Sequence, residues 1–106
     1  MISFDEFKKI DIRVGKIVSA EDHPNADKLT VLNVDLGGEE RQIVAGIRGH
    51  YASEDLAGRL IAVVVNLEPA VLRGIESQGM LLAALDEDRV VLLEPAADVA
   101  PGSKVL

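Results

Sequence analysis

An all-β domain, a five-stranded barrel with a short helix before it and an extension after it, is predicted by three features of the sequence. The chain has 106 residues, of which 48 % are hydrophobic and only 3 % aromatic, so its core must be aliphatic and rich in the β-branched residues that suit strands. Clusters of Gly, Pro, Asn and Asp cut the apolar residues into short runs of strand length. The connections between the first three runs are too short for the crossover that parallel pairing requires, so the sheet must start as antiparallel hairpins. A chain of this size holds one modest core, and residues 1–106 are read as a single domain.

The elements follow in order. Ser3-Phe4-Asp5-Glu6 has the form of a capping box, and Phe4, Phe7 and Ile10 recur at helical spacing, which predicts a short helix with both phenylalanines as packing residues. From Asp11 the period changes: Ile12, Val14 and Val18 alternate with Arg13, Gly15 and Ser19. Lys16 and Ile17 break the parity, and Gly15 beside them suggests a bulge in a long, bent first strand. The turn formers from Asp22 to Asp27 lead to a second strand, Leu29 to Leu36, which ends at Gly37-Gly38; a third, Arg41 to Ala45, stops at Gly46.

Between Gly49 and Gly58 the polar stretch Tyr51 to Leu56 has room for one or two helical turns with Ser53 as cap. Three apolar strands follow: Arg59 to Asn66, Met80 to Leu85 and Val90 to Glu94. The one long connection, Leu67 to Gly79, has the length of a functional loop. Three strands, a short helical segment, two strands and an extra one is the order of an OB-fold barrel with a C-terminal extension; an open sandwich is the rival arrangement. The runs Leu60 to Val65, Met80 to Leu85 and Val90 to Leu93 do not alternate with polar residues, so both faces of these strands need cover. A homodimer supplies it, with burial under the terminal segments as the alternative.

Several function classes lack their parts. Without cysteine there is no disulfide framework, thiolate metal site or cysteine nucleophile. The N-terminus carries Asp5, Glu6, Lys8 and Lys9 and reads as no targeting peptide, and the longest apolar run is far short of a membrane span, so a cytoplasmic protein without membrane contact is expected. His23 and His50 lie in unrelated loops without metal-ligand spacing, and the paired acids Glu39-Glu40, Glu54-Asp55 and Asp86-Glu87-Asp88 stand at turns. No phosphate-cradling glycine loop occurs, and Ser77 has neither the preceding glycine of a nucleophile elbow nor a base. The chain is therefore expected to be no enzyme, with no metal and no cofactor. What remains is a pair of polar loops, His23 to Lys28 and Leu67 to Gly79, beside a sheet face carrying Arg13, Lys28, Arg41 and Asn66; in OB folds such loops frame the ligand groove.

Five segments carry a resemblance: 11–17 (DIRVGKI), 23–29 (HPNADKL), 41–47 (RQIVAGI), Asn66-Leu67 with Pro69, and Leu72-Arg73-Gly74 with Ser77-Gln78-Gly79-Met80. In this order they resemble the tRNA-binding domain family, found as a free dimeric protein and as the C-terminal domain of methionyl-tRNA synthetases. The resemblance implies an OB fold, a homodimer, no catalysis, and shape-based binding of the outer corner of folded tRNA, with an aminoacyl-tRNA synthetase as a further partner. Transferred to matching positions, it implies RNA contacts at Asn25, Lys28, Arg41, Asn66, Arg73, Ser77 and Gln78, with Met80 closing the groove floor.

Chemistry gives these residues roles: the three cations neutralise phosphates, and the neutral side chains bond phosphate or 2′-hydroxyl oxygens, with loop capping as the plain alternative for Asn25 and Ser77. Only Tyr51 lies outside the helix as an aromatic, so stacking on single-stranded bases is not expected. Two features point the other way. The net charge is −7, and Glu68, Ala70 and Val71 stand where family members commonly carry lysine or arginine. They favour an alternative in which the fold serves as a protein-interaction or chaperone-like module with weakened RNA affinity.

Overall fold

The computed structural model describes residues 1–106. Its helix α1 (Phe4–Phe7) precedes β1 (Ile12–Asp22), β2 (Thr30–Asp35) and β3 (Glu40–Ala45); a 3-10 turn, Ser53–Asp55, precedes β4 (Leu60–Val64). Five short strands complete the chain: β5 (Ala70–Leu72), β6 (Ile75–Ser77), β7 (Met80–Leu81), β8 (Ala83–Asp86) and β9 (Arg89–Leu92). The main sheet runs β3-β2-β1-β4-β7 with every neighbouring pair antiparallel. It curls until β3 meets the segment joining β6 to β7. There the Gln78 N–H donates to Gln42 O over 2.7 Å and the Val44 N–H to Ser77 Oγ over 3.0 Å, which nearly closes the barrel. Inside lies the aliphatic core that composition demands, including Ile17, Leu32, Val34, Ile43, Ile61, Val63 and Leu81.

The long, bent first strand is present, and its bulge sits slightly later than Gly15 suggested. Ile17 faces Val34 and Ser19 faces Asn33, so Val18 is the extra residue and turns outward. Gly15 serves a close approach instead: a Cβ there would lie 2.4 Å from Val34 Cγ1, too near for any real contact. The extension is also ordered. Along the start of β1, which β2 does not reach, the Val14 N–H donates to Ser103 O over 2.8 Å and the Val105 N–H to Ile12 O over 2.8 Å. The C-terminal segment thus covers an otherwise unpaired edge.

Four expectations need correction. The capping box exists, with the Glu6 N–H donating to Ser3 Oγ over 3.1 Å, but the helix is a single turn, too short to bury its apolar side chains. Phe4 remains 73 % exposed and Phe7 42 %, so on one chain they are not core residues. Ser53 caps nothing; its hydroxyl donates to Asp22 Oδ1 over 2.6 Å and ties the 3-10 turn to the end of β1. The run Met80 to Leu85 is not one strand: β7 belongs to the barrel, whereas β8 pairs with β9 as a separate hairpin. The break falls at Leu82, whose N–H donates to Ala62 O over 2.9 Å while its own carbonyl accepts the Leu93 N–H over 3.1 Å.

The fourth correction bears on function. Leu67 to Gly79 is no irregular loop, because β5 and β6 form a hairpin whose turn is Arg73-Gly74. Both residues have positive φ, +51° and +87°, as a tight two-residue hairpin turn requires, and the strain at Arg73 is borne by a residue with a β-carbon. Three-residue strands do not hold by themselves.

Candidate nucleic-acid interface

The β1–β2 connection takes its shape from hydrogen bonds to its own backbone. The His23 N–H donates to Leu29 O over 3.1 Å, closing the turn around Pro24 to Lys28. Arg48, which gave no signal in the sequence, fastens it from outside: Nη1 donates to Ala26 O over 3.0 Å, and Nη2 pairs with Asp22 at 3.4 Å. Lys28 is left exposed and in no ion pair.

His23 lies inside this turn, 2 % exposed, with both ring nitrogens engaged. Nδ1 accepts the Asn25 N–H at 3.0 Å, so the proton resides on Nε2, which donates to Leu72 O of the β5–β6 hairpin over 3.1 Å. Beside it, Arg73 Nη2 donates to Asn25 O over 3.0 Å. The two segments that the sequence singled out are thereby joined, and Asn25, Lys28 and Arg73 fall in one region. Arg73 makes no ion pair, and a guanidinium with five donors keeps most of them free after one such bond.

Of the other five expected residues, Arg41, Ser77 and Gln78 gather at the barrel seam, at the base of the same hairpin, while Asn66 and Met80 lie apart from it. Arg41 Nη1 donates to the Val65 carbonyl, and Nη2 pairs with Glu39 at 3.0 Å. Gln78 Oε1 accepts the Gln42 N–H at 3.1 Å, and Gln42 Nε2 donates to Glu76 O over 2.7 Å. An open groove of about 370 Å³ lies over this seam, lined by Glu39, Glu40, Arg41, Val65, Leu67, Pro69 and Gln78. Its one cation already has a carboxylate partner.

Two of the five, Ser77 and Asn66, have side chains committed to the fold. Ser77 is buried, its hydroxyl accepting the Val44 N–H and donating to Gly79 O over 2.9 Å. Asn66 clamps the chain between α1 and β1: Oδ1 accepts the Asp11 N–H at 2.8 Å and Nδ2 donates to Lys9 O over 2.6 Å. Met80 pairs with Val64 along the barrel and is half-exposed, outside the lining of the groove. No three His, Asp or Glu side chains gather as a metal site would require, and no helix is long and apolar enough to cross a membrane.

Comparison with known proteins shows the family and the fold. A family model described as "Putative tRNA binding domain" matches residues 12–104. The chain is 59 % identical over 104 residues to a methionine–tRNA ligase of Pyrococcus furiosus, covering 98 % of this chain but only 14 % of that protein. Two solved structures coincide with it along their length. A MetRS-related protein from Pyrococcus horikoshii superposes with a TM-score of 0.94 at 41 % identity, over 100 % of this chain and 98 % of that one. The chaperone CsaA of Bacillus anthracis str. Ames superposes with a TM-score of 0.91 at 32 % identity, over 100 % and 99 %.

Proposed function

Since the chain belongs to the tRNA-binding domain family, we propose that it binds folded tRNA by shape and backbone contacts, as an accessory to aminoacylation or as a tRNA chaperone. It is a binding domain, not an enzyme. The observation that carries the RNA reading is the tether between its two polar segments, which brings Arg73 to Asn25 in the turn that also carries Lys28, with neither cation in an ion pair. Phosphates take the cations, while Asn25 offers neutral hydrogen bonds to phosphate or 2′-hydroxyl oxygens and Gln78, whose amide already bonds the Gln42 N–H and Glu76, offers its second N–H. Arg41 is a conditional third cation, available once phosphate displaces Glu39. Asn66 and Ser77 hold the surface in shape, and Met80 lies beside it.

The protein acts as a homodimer in this reading. Support comes from an apolar groove of about 200 Å³ lined by Phe4, Phe7, Lys8, Ile10, Lys104, Val105 and Leu106, and from Leu85 at 74 % exposure on the β8–β9 hairpin. Such surface favours a partner of the same chain. An aminoacyl-tRNA synthetase is proposed as a second protein partner and the cytoplasm as the place of action.

A gel shift at low salt, with folded tRNA against an unstructured RNA of equal length, tests the proposal. Preferential binding of the folded RNA is expected; equal binding to both, or to neither, rejects shape recognition. A second reading, a chaperone-like module that binds polypeptide, is favoured by the full-length likeness to the chaperone CsaA and by Glu39 and Glu40 in the seam groove. It predicts binding of unfolded polypeptide without binding of tRNA.

A further inference from the structure

We infer that His23 is a positioning residue, a buried two-way tether that holds the β5–β6 hairpin against the β1–β2 turn and so fixes the spacing of the cations on either side. The inference deepens the RNA reading and rests on it for its consequence, though not for the tether itself. Three-residue strands leave this hairpin dependent on outside attachments. At its base, Ser77 and Glu76 are bonded to Val44 and Gln42 of β3. At its far end the side-chain bonds are those from His23 Nε2 to Leu72 O and from Arg73 Nη2 to Asn25 O. With the base alone held, the tip pivots, and Arg73 no longer keeps a fixed place relative to Lys28.

The imidazole suits this task for reasons of charge and geometry. It offers an acceptor and a donor on opposite sides of one rigid ring, and at 2 % exposure both must be satisfied within the protein. The acceptor shapes the turn through the Asn25 N–H; the donor reaches the hairpin. Prior ordering of both loops means that RNA binding does not have to supply it, which is how a pre-organised surface gains affinity without new contacts.

Two substitutions separate the two bonds. In His23→Asn the amide oxygen takes the place of Nδ1 and keeps the Asn25 N–H, but nothing reaches Leu72 O. In His23→Gln the amide nitrogen extends to the place of Nε2 and restores the donor, at the expense of the bond to Asn25. Amide hydrogen exchange of the β5–β6 hairpin, referred to that of β1 and β2 in the same protein, reads the tether directly. His23→Asn is expected to lower hairpin protection and tRNA affinity together, each by about two- to tenfold for one hydrogen bond. His23→Gln should stay closer to the wild-type value in both.

Imidazole ¹⁵N resonances of the wild type should report the Nε2–H tautomer. The inference is overturned if the proton is found on Nδ1, if both variants loosen the hairpin only in proportion to the whole barrel, or if neither changes its exchange. Should the wild-type chain fail to bind tRNA at all, the RNA reading falls, while the exchange rates still decide the tether.

Discussion

Glu39 should act as a built-in competitor for RNA phosphate, and Glu39→Gln isolates that effect. Arg41 holds Glu39 at 3.0 Å, while Lys28 and Arg73 hold no carboxylate. Each phosphate neutralised by a cation contributes about 0.7–0.9 to the slope of log affinity against log salt. With Lys28 and Arg73 as the free cations, the wild-type slope should be about 1.4–1.8 in magnitude for this site, and Glu39→Gln should add about 0.7–0.9 by releasing Arg41. The ion pair is partly exposed, with side-chain accessibilities of 26 % for Arg41 and 57 % for Glu39. Screening limits such a pair to about 0.2–1 kcal/mol, so the low-salt gain in affinity should be about 1.4- to 5-fold.

The substitution keeps the bond from Arg41 to the Val65 carbonyl, which leaves the seam intact. Fluorescence anisotropy with folded tRNA over a salt series measures slope and affinity together. An unchanged slope in Glu39→Gln would show that Arg41 takes no phosphate. A slope that survives Lys28→Ala and Arg73→Ala combined would remove the loop cations from the contact set as well.

The remaining predictions concern the supports of the site. Ser77→Ala leaves the buried Val44 N–H without its acceptor and should cost about 1–3 kcal/mol in urea denaturation, with an unchanged m-value; a smaller loss means the seam closes without this bond. Gly15→Ala forces a Cβ against Val34 Cγ1 and should destabilise by about 1–3 kcal/mol, with Val34→Ala restoring part of the loss in the double variant. If the two losses simply add, the close approach is not the cause. Phe4→Ala with Phe7→Ala should shift a dimer to monomer in sedimentation velocity, since both line the apolar groove at the C-terminal segment. A dimer that persists places the interface elsewhere, with the β8–β9 hairpin as the next surface to vary.

The sequence carried the barrel well and the hairpins poorly, for different physical reasons. Strand order and the aliphatic core follow from apolar runs between turn formers, a local signal that survives folding. The division of Met80 to Leu85 depends on Leu82 being bonded to Ala62 and Leu93, two distant partners that no window of sequence contains. The β5–β6 hairpin hid for another reason: its turn uses Arg-Gly, whereas the recognisable signals are Asn-Gly and Asp-Gly, which reach positive φ with less strain. In the site, residue types were legible and their employment was not. Asn66 and Ser77 are bonded to backbone groups remote in the chain; Arg48 carries nothing in its neighbouring residues that marks it, and for His23 the segment was visible while the bond to Leu72, 49 residues on, was not.

The net charge of −7 does not oppose RNA binding at this surface as directly as the total suggests. At physiological ionic strength exposed charges beyond about 8 Å are largely screened, so a phosphate at the paired loops responds chiefly to its immediate neighbours. Part of the acidic excess, Asp86-Glu87-Asp88, sits on the β8–β9 hairpin, a unit separate from the β5–β6 hairpin. The acids that matter are those within reach of the cations, and Glu39 is the one paired with a candidate phosphate-binding cation. Total charge then governs how fast an RNA approaches, through long-range repulsion that is strongest at low salt, while the local set governs how long it stays. Acid-to-amide changes on the β8–β9 tip should therefore raise the association rate at low salt and leave dissociation unchanged, whereas Glu39→Gln should slow dissociation. Stopped-flow kinetics separates the two, and a β8–β9 variant that slowed dissociation would mean that this hairpin touches the RNA.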